Sequence, residues 1–193
     1  MVSIGHPCRR WPLAGLVVLG TLCAFGPARG EDLPKMERRC INDHAGLLGK
    51  KDRAAIRGLC DKARDDGVEM MVVTVGSLGD FEPRPLSLDT FVQDVFDMWE
   101  IDYDAANQAI LLFVARKERQ LRIRMGEGFA KKARKRAHRI LRRTVGPGLG
   151  RGASKAIRRG FGQLYRKVAK PHIRARERER EAAARKRGVV NFD

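Results

Sequence analysis

Gly126-Glu127-Gly128 stands just ahead of Lys131 and Lys132, where a helix is predicted to start. Glycines at such a point let a ligand approach the free backbone N–H groups of the first helical turn, and those groups favour negative charge. Lysines in a first turn cost the helix about 0.3–1 kcal/mol each against its dipole, but they add attraction for a phosphate or a lipid headgroup. Arg122, Arg124, Arg134 and Lys135 surround the same point and complete a candidate anion site. Glu127 opposes it from inside the turn; the competing reading is a solvated basic face with no site. Other constellations fall short of their chemistry. Val75-Gly76-Ser77-Leu78-Gly79 lacks the first glycine of a nucleophile elbow. His44, His138 and His172 have no metal-ligand spacing. Gly126-Glu127-Gly128 has no third glycine of a dinucleotide fingerprint.

The N-terminus bears on compartment. Arg9 and Arg10, an apolar stretch from Leu13 to Phe25, and the small residues Ala28 and Gly30 predict an export signal cleaved after Gly30. The stretch falls short of the roughly 20 residues of a membrane span, and Pro27 ends it. The mature chain is expected in the periplasm or outside the cell. Cys8 and Cys23 leave with the signal, so Cys40 and Cys60 remain. An even pair in an oxidising compartment points to a disulfide, with two buried thiols or metal ligation as the alternatives.

Charge divides the chain. Residues 31–115 carry 10 Lys and Arg against 17 Asp and Glu, whereas residues 116–193 carry 27 against 6, within a total of +17. Such asymmetry speaks of partners: an anionic membrane surface, an acidic protein, or self-association of acidic with basic halves. Nucleic acid is disfavoured by the export signal and by the few aromatic side chains available for base stacking in the basic half.

The elements that must position these residues follow from periodicity. A helix is predicted over 50–65, with Ile56, Leu59, Cys60 and Ala63 on one face and Gly67 as its stop. A buried strand follows over 68–75. Ser87 caps a second helix that buries Phe91, Val92, Val95, Phe96 and Trp99. The continuous apolar run 109–115 fits a strand buried on both faces, and 120–125 alternates, with Leu121, Ile123 and Met125 inward. A four-residue break makes the two a hairpin. A basic third helix begins near Ala130, and Ala153 to Ala169 forms a last packed helix in which Gly160 and Gly162 either weaken it or admit a close neighbour. The organisation expected is a signal over 1–30, a linker over 31–39, a domain over 40–170 and a charged tail over 171–193.

In order and spacing these segments resemble the TPM domain family. Ile41-Asn42-Asp43-His44-Ala45-Gly46-Leu47-Leu48 looks like its opening, Val72-Val73-Thr74-Val75-Gly76-Ser77-Leu78 like its first long strand, and Phe96-Asp97-Met98-Trp99-Glu100-Ile101 like the end of its second helix. Ile110 to Ala115 and Arg122-Ile123-Arg124-Met125-Gly126-Glu127-Gly128 are similar to its hairpin. The family includes a plant thylakoid-lumen acid phosphatase, photosystem repair factors, a nematode receptor accessory subunit and many exported bacterial proteins. The resemblance implies an α/β fold, a three-layer α/β/α sandwich with a small mixed sheet, here with a basic helical C-terminal extension. In several members it also implies an acidic, cation-binding cluster at one sheet edge.

This chain departs from that cluster. Asn107, Ala130 and Lys135 stand where the pattern has carboxylates, and Ala130 also removes a charge that would oppose an anion. Asp43 remains in place, with Asp102 and Asp104 as nearby substitutes for calcium, which takes six to eight oxygens. No cofactor is expected, and a ring of Lys131, Lys132, Arg134 and Lys135 repels cations. The reading reached is a non-enzymatic binding or accessory module for anionic partners. The alternative is a metal-assisted phosphatase acting on phosphomonoesters, as in the plant member.

Overall fold

The computed structural model describes residues 33–81, 87–101 and 108–189. The predicted export signal and Asp102, Asp104 and Asn107 lie outside these residues. Four strands, β1 (Ile41–Asp43), β2 (Glu69–Val75), β3 (Ala109–Ala115) and β4 (Gln120–Met125), form one sheet in the order β1-β2-β3-β4. β1 and β3 both run parallel to β2, and β4 returns antiparallel to β3. The helices are α1 (Lys50–Asp65), α2 (Leu88–Met98), α3 (Lys131–Ile140), α4 (Ala153–Leu164) and α5 (Lys170–Val189).

Strand alternation makes the layers. Met70, Val72, Ile110, Leu112, Val114 and Ile123 point to one side and share a core with α1, α3 and α4. Met71, Val73, Val75, Leu111 and Phe113 point to the other and pack against α2. With helices over both faces, every residue of β3 is buried, which is why its sequence is an unbroken apolar run. This is the mixed α/β sandwich that the family resemblance implies.

Local signals set the helix ends. α1 stops where Gly67 takes φ +79°, a left-handed conformation that suits glycine, and its amide donates to the Arg64 carbonyl at 2.8 Å. The start of α1 is held from outside: the Gly49 amide donates to Ser154 Oγ at 3.0 Å, and Asp52 accepts from Ser154 Oγ and Arg158 Nε on α4. Ser87 caps α2, accepting from the Thr90 amide at 3.2 Å. The segment expected to be a linker is tied in as well. Leu33 is buried, Trp99 Nε1 donates to the Pro34 carbonyl at 3.0 Å, and Asn42 Oδ1 accepts from the amides of Glu37 and Arg38.

α3 and α4 both widen into π-turns, over Leu141–Val145 and over Tyr165–Ala169. They meet at Gly160, where an added Cβ would lie 2.2 Å from Val145 Cγ2. Of the two roles the sequence leaves open for this glycine, close approach to a neighbour is the one realised. Beyond the second π-turn the chain does not become a separate tail. Pro171 has no N–H to give the Lys167 carbonyl, and Arg136 Nη1 of α3 donates to that carbonyl instead, at 3.1 Å. α5 therefore continues α4, and Ile173 joins the α1–α3–α4 core, so packing extends past Lys170.

Candidate anion-binding surface

The six cations grouped by the sequence divide into separate environments. Arg134 turns back on the β4–α3 connection: its guanidinium donates to the carbonyls of Met125 at 2.8 Å, Gly126 at 2.5 Å and Phe129 at 3.1 Å. The Gly126 carbonyl also accepts from the Phe129 amide at 3.3 Å, so Arg134 reinforces a turn that is already hydrogen-bonded and is a strut rather than a free anion ligand. Lys131 and Lys132 are exposed at the start of α3, where Ala130 supplies no side-chain cap. Arg122 and Arg124 do not extend that patch. The alternation that sends Ile123 and Met125 toward α3 sends both arginines toward the α2 side, and Arg122 Nε pairs with Asp89 at 2.6 Å.

Lys135 and Arg122 do come together. β4 is an edge strand, and a groove of about 640 Å³ runs beside it, lined by Arg122, Lys135, His138, Arg139, Arg142 and Asp89 among others. Four permanent cations face one carboxylate, and that carboxylate is already paired with Arg122. Arg139 and Arg142 stand outside the six cations grouped from the sequence. The signal available was their spacing: Lys135, His138, Arg139 and Arg142 recur at three- and four-residue steps along one flank of α3 and its continuation.

Asp43, the carboxylate considered for calcium, has its side chain 1% exposed. Oδ1 accepts from the Leu47 amide at 2.9 Å and from Thr74 Oγ1; Oδ2 accepts from the Leu48 amide at 3.0 Å and from Arg53 Nη2. Both oxygens thus hold the β1–α1 loop in place, and a cation would have to displace a guanidinium. Among the described residues no three His, Cys, Asp or Glu side chains converge as metal ligands. Ser77 has its hydroxyl committed to Glu118 Oε1 at 2.6 Å, and the Leu78 amide donates to the same oxygen at 2.9 Å. Burial pushes the Glu118 carboxyl up, but the hydrogen bonds from Ser77, its own amide and Leu78, with Lys117 close by, outweigh it and hold the carboxyl below its usual range.

Cys40 and Cys60 are bonded, as the sequence predicts, joining the residue before β1 to the inner face of α1. His172 of α5 lies against Phe129, with ring centroids 4.3 Å apart and Nε2 buried without a partner. Burial, and then Arg176, lower its pKa; Glu179 works weakly the other way. The unfolded chain therefore takes up a proton before the folded one does. The His172 contribution to stability is fully present above the ordinary histidine value near 6.5 and is lost as pH falls through it toward the lower folded value. Thermal unfolding at pH 7.5 and pH 5 should show wild type losing more on acidification than His172→Phe; equal losses would contradict this.

The TPM domain family's sequence model matches residues 41–167. Among solved structures, the chain is similar to the N-terminal domain of a protein from P. gingivalis, determined by NMR in solution, with 22% identity, 66% of this chain and 80% of that one covered, and a TM-score of 0.56. It is also similar to the N-terminal domain of the cg2496 protein from Corynebacterium glutamicum, with 15% identity, 70% and 83% covered, and a TM-score of 0.51. At these identities the likeness speaks for the fold alone. No curated protein matches the chain significantly.

Proposed function

Since the chain belongs to the TPM domain family, we propose that it is an exported, non-enzymatic binding or accessory module that engages an acidic protein or an anionic membrane surface. The groove beside β4 carries the reading: Arg122, Lys135, Arg139 and Arg142 line it against Asp89 alone. Like charges held this close repel one another, and an anionic partner relieves that repulsion as it binds. The Cys40–Cys60 bond fits a working place in an oxidising compartment, periplasmic or extracellular. The full use of both Asp43 oxygens by protein donors argues against a metal-assisted phosphatase.

Co-sedimentation with phosphatidylcholine vesicles, with and without phosphatidylglycerol, tests the membrane arm. Binding should require the anionic lipid and fall as salt rises, because exposed charges are screened beyond about 8 Å at physiological ionic strength. Retention on an acidic polypeptide column tests the protein arm in the same salt series. A phosphomonoester assay with and without calcium is the counter-test. Turnover that needs calcium would replace the binding reading with the phosphatase.

A further inference from the structure

A second basic cleft lies on the outer side of the same helical layer, between the antiparallel α3 and α4. It encloses about 290 Å³ and is lined by Arg136, Arg139, Ile140, Arg143, Thr144, Gln163 and Lys167, with no carboxylate among them. Among the described residues no carboxylate lies within ion-pair distance of Arg139, Arg143 or Lys167. Arg136 is anchored across the cleft by its bond to the Lys167 carbonyl, which holds the two helices in register and leaves its other N–H donors unassigned. At the other end Thr144 Oγ1 contacts Gln163 Oε1 at 3.4 Å, which turns the Gln163 amide nitrogen, a donor, away from that contact. The π-turn over Leu141–Val145 adds a residue to the local turn, and both Arg143 and Thr144 line the cleft.

We propose that this cleft is a binding site for a phosphate group, held by Arg139, Arg143 and Lys167 with Gln163 as a neutral donor. The inference rests on the anion-binding reading above and gives it a definite place and ligand class. Guanidinium groups match phosphate oxygens with paired N–H donors, and lysine adds a point charge. Three cations with no carboxylate nearby are mutually destabilising on the helix surface. A single phosphate, carrying up to two negative charges, neutralises most of that charge in one step. Its cations are exposed, as Lys131 and Lys132 are, but Ile140, Thr144 and Gln163 of the two helices line the cleft beside them.

Titration of the isotope-labelled full chain with inorganic phosphate at constant ionic strength, followed by the amide and guanidinium resonances, reads the site directly. Saturable shifts centred on Arg139, Arg143, Gln163 and Lys167 are expected. Arg143→Gln with Lys167→Gln, which leaves every cation of the groove beside β4 in place, should weaken binding about tenfold or more, whereas Arg185→Gln with Lys186→Gln on α5 should leave it within about twofold. Gln163→Glu, which keeps the side-chain shape and places a carboxylate in the cleft, should also weaken it by about tenfold. This variant keeps the test open if the double variant does not fold. Phosphatidylglycerol vesicles form the second arm. Parallel loss of phosphate and vesicle binding in the cleft variants identifies a lipid headgroup, and loss of phosphate binding alone identifies a soluble phosphate compound; both support the site. Unsaturable phosphate shifts, or equal losses from the cleft and α5 variants, would overturn it. In that case vesicle binding retained by wild type leaves the broader anion reading standing, and its absence removes that as well.

Discussion

Asp43→Ala is expected to lower the stability of the folded chain by roughly 3 kcal/mol. The carboxylate gathers two backbone amides, the Thr74 hydroxyl and the Arg53 guanidinium, and its own side chain is almost completely shielded from water. Alanine leaves those donors without an acceptor, and each lost bond to a charged acceptor is worth about 1.5–3 kcal/mol before compensation. Compensation is substantial for Arg53, 43% exposed, which can turn to water, and small for the Leu47 and Leu48 amides. Asp43→Asn keeps the shape and one acceptor oxygen, and should fall between wild type and alanine. Urea denaturation gives the differences. Calcium should leave the wild-type midpoint unchanged. A calcium-dependent rise that disappears in Asp43→Ala would show instead that the carboxylate serves a cation.

Removing the Cys40–Cys60 bond is the second large effect. The bond closes a separation of 20 residues, and on the chain-entropy account such a loop stabilises by about 3 kcal/mol through restriction of the unfolded chain. Its position adds to this expectation. Cys40 leads directly into β1, a strand of three residues at the sheet edge, and Cys60 lies buried on α1. A strand that short has few backbone bonds to hold it, so the cross-link is a main tether of that edge. Cys40→Ala with Cys60→Ala should unfold at lower denaturant than wild type, and a reductant should move wild type toward the variant while leaving the variant unchanged. A reductant without effect on wild type would show that the bond contributes nothing to folding.

Much of the fold was legible because it is written in periodicity and caps. The unbroken 109–115 run and the alternating 120–125 run became β3 and β4 at those boundaries, and Ser87 became the α2 cap. The segments that misled are those where one residue overrides its surroundings. Pro171 and the charged residues after it read as the end of the domain, yet a single isoleucine, Ile173, brings the start of α5 into the core. The candidate site was less legible for a related reason. Helical spacing places an arginine on a face but does not say what the end of a long side chain touches. Arg122, Arg134 and Arg136 were alike as basic letters. In the fold the first meets Asp89, the second three carbonyls of a turn, and the third a carbonyl freed by a proline. Asp43 was found through its place in a family pattern, but its internal partners come from three separate stretches that only folding brings together.

The two-sided packing of the sheet also has a mechanical consequence at a distance. Between Ser87 and Ile101 the α2 side carries Asp89, Asp94, Asp97 and Glu100 with no lysine or arginine; between Lys131 and Val145 the opposite side carries eight lysines and arginines with no carboxylate. The α2 and α3 segments thus carry opposite charge on opposite faces of the sheet, which Arg122 and Arg124 on the α2 side reduce but do not cancel, and the pair gives an electric moment running across the layers. In the field of a charged plane such a moment feels a torque before any contact forms. On the anion-binding reading proposed above, molecules meeting a negative plane would turn α3 toward it and leave α2 outward, so that an adsorbed layer would present an acidic face to whatever comes next.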